Sequence, residues 1–256
     1  MIIGSEILRF VKLTSTNSHA AMLIRNGEPE EGTVIQASYQ TSGKGQAGNT
    51  WESEEGKNLL FSIILYPCSV MAEEQFFLSM AVSLGICDFL DSRITGSKIK
   101  WPNDIYIGND KIAGILIENS LIGENIESSI AGIGLNLNQV SFPDHLINPV
   151  SLKMITGIDH DPDSCLSDLL NALDLRYKEL LYGDRQKLKN EYTTRLYRLN
   201  EFHNYSKKGK KFKARIMGIT GSGLLIVQKD DQFNPIPKNS YQKFKRKKTQ
   251  GNLSLT

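Results

Sequence analysis

Hydrophobic and polar positions follow two periods along the chain, one typical of strands and one typical of helices. Residues 33–39 alternate and are rich in β-branched and aromatic side chains, which predicts a strand, and the apolar run 59–65 predicts a buried one. Residues 73–90 repeat apolar side chains at helical spacing, with acids in the first turn, and predict a helix. Another helix is predicted over 19–27, after the hydroxyl and amide side chains of Ser15-Thr16-Asn17.

Several strands of the remaining chain follow one another without intervening helices. Short strands are predicted at 99–101, 104–107, 111–118 and 129–135, two late helices at 163–182 and 184–199, and two last strands at 212–219 and 223–229. Such neighbouring strands favour a mixed sheet with helices mainly on one face over a doubly wound parallel fold. The last segment is too short for another α/β unit and is expected to form a small β-barrel. We therefore predict an α+β fold with a larger domain over 1–204 and a small one over 205–256.

Composition is ordinary for a soluble globular protein, with 40% hydrophobic and 23% charged residues. The longest apolar stretch, 59–66, is interrupted by Ser62 and is too short to span a bilayer. The N-terminus has no basic leader and no small-residue cleavage site, so no signal peptide is predicted. The three cysteines, Cys68, Cys87 and Cys165, are odd in number and widely spaced, which argues against a disulfide framework or a zinc cluster. We expect a cytoplasmic protein with no membrane association.

The net charge of +2 hides an uneven distribution along the chain. Residues 205–256 carry thirteen Lys or Arg against Asp230 and Asp231, a local charge of +11, whereas residues 1–204 carry −9. A nucleic-acid-binding protein is therefore one alternative, because such a segment can hold phosphates. Its aromatic residues form no recognisable stacking motif, however, and a solvated charged tail is the commoner meaning of such a run.

The glycine-rich loop at 43–48, GKGQAG, formally matches the dinucleotide fingerprint. The residues that follow are polar, include Gly56 and make a poor helix start, and no strand ends in an acid about twenty residues later, as the fingerprint requires. A Rossmann nucleotide site is therefore disfavoured. A loop dense in glycine with a cationic side chain still suits close approach of backbone to a carboxylate or phosphate.

Two further segments carry candidate chemistry. In the first, 98–118, two strands flank a Gly-Asn-Asp turn, and Lys111 opens an otherwise apolar strand. Taken alone, such a lysine is more often a surface residue whose stem covers apolar neighbours. In the second, 132–138, two glycines and two amides on an apolar strand suggest close approach of a ligand or of another backbone. Taken alone, a tight crossing of strands is the commoner cause.

The order of these segments resembles the signature of biotin protein ligases. The matching pieces are Ser15-Thr16-Asn17, GKGQAGNTW at 43–51, KWPND at 100–104, KIAGIL at 111–116 and GIGLN at 132–136. The resemblance covers roughly residues 1–200, and the C-terminal segment matches the family's SH3-like barrel only loosely. It implies a catalytic domain like those of class II aminoacyl-tRNA synthetases and biotin ligases. Lipoate ligases and octanoyltransferases share this fold and are the nearest alternative, but the KWPND segment with the GKG loop favours the biotin branch.

The resemblance also implies an activity, cofactors and partners. Such an enzyme forms biotinyl-5′-AMP from biotin and Mg-ATP, then transfers biotin to a lysine of the biotin carboxyl carrier domain of a carboxylase. Some family members carry an N-terminal helix-turn-helix that binds DNA. Here Ser15 lies only fourteen residues from the start, so no DNA binding is expected. A monomer or a homodimer is equally compatible with the sequence.

The family's functional residues fall on matching positions of this chain. The resemblance places the biotin head group against Ser15, Thr16, Asn17 and Gln40, and a ureido ring does need partners for two N–H donors and one carbonyl. It gives catalytic roles to Lys111, Lys44 and Asp104, the last also as a candidate Mg²⁺ ligand. The remaining implied contacts to biotin or nucleotide are Gly43, Gly45, Gln46, Trp51, Lys100, Asn103, Gly114, Gly132, Gly134 and Asn136. The loop departs from the family at Gln46, where some members have a second arginine, and at Asn49, where another arginine often lies.

Overall fold

The structure, a computed structural model, describes residues 1–27, 29–207, 210–229 and 241–244. The central sheet has seven strands: β1 (Ile7–Leu13), β2 (Val34–Gln40), β5 (Leu59–Leu65), β6 (Ser97–Lys100), β7 (Asp104–Ile107), β8 (Asp110–Ile122) and β9 (Asn125–Leu135). Their spatial order is β1-β2-β5-β9-β8-β7-β6. Strands β1 and β2 run parallel and the other neighbours run antiparallel, so the sheet is mixed as predicted. Between β2 and β5, strands β3 (Gly43–Lys44) and β4 (Thr50–Trp51) form a separate small hairpin.

Helices cover both faces of the sheet, but unequally. They are α1 (Thr16–Asn26), α2 (Phe76–Asp91), α3 (Leu152–Thr156), α4 (Pro162–Tyr182) and α5 (Arg185–Thr194). Side chains of β5 alternate between the faces: Ile63 and Leu65 belong to the large core with α2 and α4, whereas Ile64 packs with Ala20 of α1. Helix α2 is buried almost all round because it lies between the sheet and α4. The prediction of helices mainly on one face is confirmed.

Several predicted elements have different bounds in the structure. The acids expected in the first turn of α2 lie in a short 3-10 turn, Ala72–Glu74, that precedes it. The strands predicted at 111–118 and 129–135 extend towards each other and meet in a hairpin turn at Gly123, which has a φ of 57°. The helix predicted over 184–199 ends at Thr194, and positive φ angles of 59° at Arg198 and 63° at Asn200 carry the chain out of helical geometry.

The edge strand β1 was not predicted. Its sequence, ILRFVKL, mixes basic and apolar residues, and all of its side chains are partly or fully exposed. A strand at the edge of a sheet has a neighbour on one side only, so its pattern of burial is weak. The short helix α3 was also missed, since its five residues are too few to show a period.

The C-terminal segment forms a second sheet. Its strands, β10 (Phe202–Lys207), β11 (Lys210–Ile219), β12 (Leu225–Lys229) and β13 (Tyr241–Phe244), pair antiparallel in that order. The two strands predicted here are confirmed, and the predicted boundary after residue 204 falls within β10. The described part is an antiparallel sheet rather than a closed barrel, and its inner side chains Ala214 and Val227 belong to the large core. Residues 230–240 and 245–256, with much of the predicted basic charge, lie outside the described residues.

Two composition-based expectations can be compared with the structure. All three cysteines, Cys68, Cys87 and Cys165, are free, as predicted. No helix in the described ranges is both long enough and apolar enough to cross a membrane.

Candidate active site

The N-terminus of α1 and the end of β2 build one half of the site. Ser15, Thr16 and Asn17 are each only 3% exposed, although all three are polar. Gln40 Oε1 accepts hydrogen bonds from the backbone N of Thr16 at 2.7 Å and from its hydroxyl at 3.2 Å. The predicted head-group residues therefore lie together. With the buried Ser62 of β5, they form what we call the polar pocket.

Asn17 is held on several sides within the polar pocket. Its Nδ2 donates to Glu118 Oε2 at 2.8 Å and to the carbonyl of Leu116 at 3.3 Å. Its Oδ1 accepts from Ser62 Oγ at 2.6 Å. Gly132 makes room for this side chain, because a Cβ there would lie 2.0 Å from Asn17 Oδ1. The close approach predicted at Gly132 is thus made by the side chain of Asn17.

Two more of the predicted glycines lie under Trp51. Gly114 of β8 and Gly134 of β9 are paired in register. A Cβ on Gly134 would lie 2.4 Å from the indole of Trp51, and one on Gly114 would lie 2.9 Å from it. Gly43 joins this region to the polar pocket, since its Cβ would lie 2.5 Å from Trp51 O and 3.3 Å from the Gln40 side chain. Without these glycines Trp51 could not pack against the sheet.

A charged pair lies beside Trp51. Lys111 Nζ is 2.8 Å from Asp104 Oδ1, and the two side chains are 31% and 22% exposed. Lys111 Nζ also lies 5.5 Å from the centroid of the Trp51 ring. The register of β7 on β8 shifts between Ile105 and Tyr106, and such a bulge can redirect the side chains near it. Lys111 is therefore a half-buried cation with an acidic and an aromatic partner, unlike a lysine that merely covers the surface.

The glycine-rich loop closes on itself between β3 and β4. The N–H of Gly45 donates to the carbonyl of Asn49 at 2.7 Å, and the turn between them has positive φ angles of 57° at Ala47 and 86° at Gly48. A hairpin rather than a helix follows the glycines, so the dinucleotide fingerprint is excluded, as expected. Lys44 is exposed and forms no ion pair within the described part of the chain, whereas Gln46 is half-buried. Among the described residues, Lys44 thus makes no ion pair with Asp104.

Two predicted ligand contacts brace the protein itself. Asn103 Nδ2 donates to the carbonyl of Ile115 at 2.9 Å. Asn136 is 4% exposed, and its Nδ2 donates to the carbonyls of Val150 at 3.0 Å and Lys111 at 3.5 Å. Both amides therefore fix the backbone of β8 on either side of the site.

Lys100 is directed towards Tyr106. Its Nζ donates to the Tyr106 hydroxyl at 2.8 Å. Burial, followed by the nearby charge of Asp104, raises the pKa of Tyr106 to about 12, so this phenol stays neutral near pH 7. Lys100 is thus next to the Lys111–Asp104 pair in the sheet but bonded to a different partner.

Three residues of this site were missed by the sequence analysis: Ser62, Glu118 and Tyr106. Ser62 is the lone hydroxyl in the apolar strand LLFSIIL, and Glu118 is an acid at the end of the apolar run of β8. A single polar residue within an apolar strand was the available signal, because a buried polar group needs a partner. Nothing comparable marks Tyr106, since tyrosine is common in strands.

An open cavity of about 610 Å³ lies beside Trp51. This volume is within the range of small-molecule sites, roughly 300–1,000 Å³. One wall of the cavity includes Gln40 and Gly43, so it adjoins the polar pocket. The rest of its lining comes from residues 39–43, 50–54, 139 and 141–143.

Several known proteins that are named as ligases are similar to this chain. The bifunctional ligase/repressor BirA of Bacillus spizizenii is 27% identical over 239 residues, which cover 92% of this chain and 73% of that protein. The biotin–acetyl-CoA-carboxylase ligase of Paracoccus denitrificans is 30% identical over 207 residues, covering 76% of this chain and 83% of that one. The fold is similar to that of the Aquifex aeolicus biotin protein ligase in complex with biotin and ATP. That match has a TM-score of 0.78 at 22% identity and covers 98% of this chain and 100% of that one.

The family description agrees with these relatives and with the position of the site. The biotin/lipoate A/B protein ligase family matches residues 7–136. This range contains the whole polar pocket, the glycine-rich loop and the Lys111–Asp104 pair. The chain therefore belongs to the biotin/lipoate A/B protein ligase family.

Proposed function

We propose that this protein is an ATP-dependent biotin protein ligase, which makes biotinyl-5′-AMP and transfers biotin to a lysine of a carboxyl carrier domain. The observation that carries the proposal is the polar pocket next to the half-buried Lys111–Asp104 pair. The pocket offers hydrogen-bonding groups of both kinds, as a ureido ring requires. The names of the relatives favour the same activity.

In the first step, the biotin carboxylate attacks the α-phosphorus of ATP, and pyrophosphate leaves. Lys111 and Leu116 lie on the same strand, and the carbonyl of Leu116 borders the polar pocket. The Lys111 cation is therefore in the same site as the polar pocket but separated along the strand from the groups that would bind the biotin head group. A cation held there stabilises the negative charge that develops at the α-phosphorus. Asp104 and Trp51 hold Lys111 in place from two sides, which limits the reorganisation needed during reaction.

In the second step, the amine of the acceptor lysine attacks the mixed anhydride and AMP leaves. Asp104 is 22% exposed, so one oxygen of the carboxylate can meet an incoming amine while the other bonds Lys111. Water would destroy the anhydride. The role of the loop between β3 and β4 is then to cover the intermediate.

Magnesium belongs to this reaction as part of the Mg-ATP substrate. Among the described residues, no three His, Cys, Asp or Glu side chains lie together as a metal site. The site is thus suited to a Mg²⁺ ion whose ligands are mainly phosphate oxygens and water, with Asp104 as the candidate protein ligand.

A lipoate or octanoate ligase of the same family is the second candidate. A dithiolane ring or an alkyl chain has no N–H donors and no carbonyl, so it could not hydrogen-bond to the polar groups of Thr16, Asn17 and Gln40 in the pocket. The polar pocket therefore favours biotin.

One assay tests the proposed function. The purified protein is incubated with ATP, Mg²⁺, biotin and a carboxyl carrier domain, and the carrier's mass is measured. We expect a gain of one biotin that needs ATP. Labelling by lipoate or octanoate and not by biotin would contradict the proposal.

The loop gives a first prediction, because Gln46 stands where the resemblance places an arginine in some family members. We expect Gln46→Arg to slow release of biotinyl-AMP by roughly ten- to a hundredfold. The arginine at this half-buried position would add a charged hydrogen-bond donor near the phosphate. Release of radiolabelled intermediate from the isolated complex measures this. Asn26→Arg, which adds the same charge at the far end of α1, is the control. Equal release from both variants and the wild type would show that residue 46 does not face the phosphate.

The basic cluster gives a second prediction. It comprises Lys243, Lys245, Arg246, Lys247 and Lys248, and residues 245–248 lie outside the described residues. We propose that it steers an acidic carrier domain towards a catalytic domain that would otherwise repel it. Replacing the five with Gln is expected to lower kcat/KM for the carrier on the order of tenfold at low salt.

The salt profile separates steering from other effects. The wild-type second step should slow as ionic strength rises, whereas that of the variant should stay flatter. Biotinyl-AMP synthesis is the internal control, because it involves no macromolecular encounter. Parallel salt profiles for the two proteins would contradict steering and leave the cluster a solvated tail.

A further inference from the structure

The direction of the hydrogen bonds around Asn17 is determined by its neighbours. Its Nδ2 faces Glu118 Oε2 at 2.8 Å and the carbonyl oxygen of Leu116 at 3.3 Å. A carboxylate and a carbonyl only accept, so a flipped amide would place oxygen against two oxygens. Both hydrogens of Nδ2 are therefore used by the protein. The oxygen of Asn17 is the only polar atom that the side chain can offer to a ligand.

The same reasoning orients Gln40. The backbone N of Thr16 only donates, so the Gln40 atom 2.7 Å from it is the oxygen. That oxygen also lies 3.2 Å from the Thr16 hydroxyl. The Nε2 group points instead towards Gly43, at the start of the loop. Gln40 thus offers the pocket a donor, opposite in kind to what Asn17 offers.

Ser62 lies between Thr16 and Asn17 with a single hydroxyl hydrogen. Its Oγ is 2.6 Å from Asn17 Oδ1 and 2.7 Å from Thr16 Oγ1. Asn17 Oδ1 has no hydrogen, so the hydrogen of Ser62 must serve it. Thr16 then directs its own hydrogen to Ser62 or to Gln40. Neither hydroxyl has a hydrogen left for a ligand, and the free lone pairs on this side of the pocket only accept.

We propose that Ser62 is a positioning residue that determines which head groups the polar pocket takes. Ser62 is fully buried at 0% exposed, so it acts through Thr16 and Asn17 rather than by touching a ligand. By holding Asn17 Oδ1 and Thr16 Oγ1 in place as acceptors, it selects a cyclic urea, with two N–H donors, over a ring or chain without them. This proposal rests on the proposed function. It adds that Ser62 gives the biotin site its acceptor character.

Ser62→Ala tests the proposal by calorimetric titration with biotin, desthiobiotin and octanoate. Biotin and desthiobiotin share the cyclic urea, so both should bind about ten- to a hundredfold more weakly, whereas octanoate affinity should not change. The KM for ATP and kcat at saturating biotin should stay near wild type, because the Lys111–Asp104 pair is not altered. A merely structural role would instead change all of these together.

Ser129→Ala is the matched control. Ser129 is also buried, lies on the neighbouring strand β9, and its Oγ donates to Asn119 Oδ1 at 2.7 Å, outside the polar pocket. It should bind biotin as the wild type does. Ser62→Cys, with a weaker donor in a side chain of similar shape, should fall between wild type and Ser62→Ala, and it carries the comparison if the alanine variant does not fold.

The outcomes separate this proposal from the proposed function. Unchanged biotin affinity in Ser62→Ala, or an equal loss for octanoate, would overturn the role of Ser62. So would an equal loss of biotin affinity in Ser129→Ala. Failure of the wild-type protein to bind biotin and to label the carrier domain would instead reject the ligase function itself.

Discussion

Lys111→Ala is expected to slow pyrophosphate release by about a hundredfold or more. The side chain is a half-buried cation held by Asp104 at 2.8 Å, so its charge acts in a medium that screens it less than bulk water does. Its removal takes away stabilisation that grows as charge develops at the α-phosphorus. Biotin affinity without ATP should change much less, because the polar pocket has no hydrogen bond to the Lys111 side chain in the described structure.

The control for this variant is Lys98→Ala. Lys98 is an exposed lysine of β6 in the same sheet, and its loss changes the net charge by the same amount. Single-turnover release of pyrophosphate at saturating biotin and ATP measures the chemical step for both variants. A rate for Lys111→Ala close to that of Lys98→Ala would reject the role of Lys111 in adenylate formation.

Gly132→Ala is expected to weaken biotin binding on the order of a hundredfold. The new Cβ would lie 2.0 Å from Asn17 Oδ1, and Asn17 is fixed by Ser62, Leu116 and Glu118. Relieving the clash must break at least one of these bonds, at a cost of about 1–3 kcal/mol for the buried group and a similar amount for overpacking. Equilibrium binding of radiolabelled biotin measures the loss.

Gly27→Ala is the matched substitution for this test. A Cβ at Gly27, just after α1, would meet no atom within 4 Å. Biotin affinity should therefore match the wild type. If Gly132→Ala binds biotin equally well, Asn17 can turn away without loss, and it does not present an oxygen to the ligand.

Much of the sheet and of the site could be predicted because local patterns and motifs marked them. The alternation of β2 and the apolar run of β5 identified two central strands, and the glycines at 132 and 134 indicated a close approach on β9. What approaches them could not be predicted. Asn17 and Trp51 are far from β9 in sequence, and only the folded sheet brings them there.

The contacts that individual polar residues make were harder to predict than their place near the site. Asn103 and Asn136 fall in recognisable motifs, yet both donate to backbone carbonyls of the protein. An amide can bond a ligand or a neighbouring strand with the same atoms, so its type and position do not distinguish the two. Ser62 shows the reverse case, because no motif marks it, yet the fold places it against side chains of the polar pocket. The role of a single hydroxyl in an apolar strand can be inferred only from the partners that the fold brings to it.

The contact between Trp101 and the C-terminal sheet bears on how the molecule unfolds. Trp101 lies three residues before Asp104, and its Nε1 donates to the carbonyl of Gly223 at 3.1 Å. In addition, Ile216 and Leu225 of the C-terminal sheet belong to the same large core as Phe76 of α2. Segments that share one core are expected to melt in a single cooperative transition. Cutting the chain near residue 204 would then expose core side chains rather than release an independent domain. The terminal sheet is thus bonded to the segment that leads into β7, the strand that begins at Asp104.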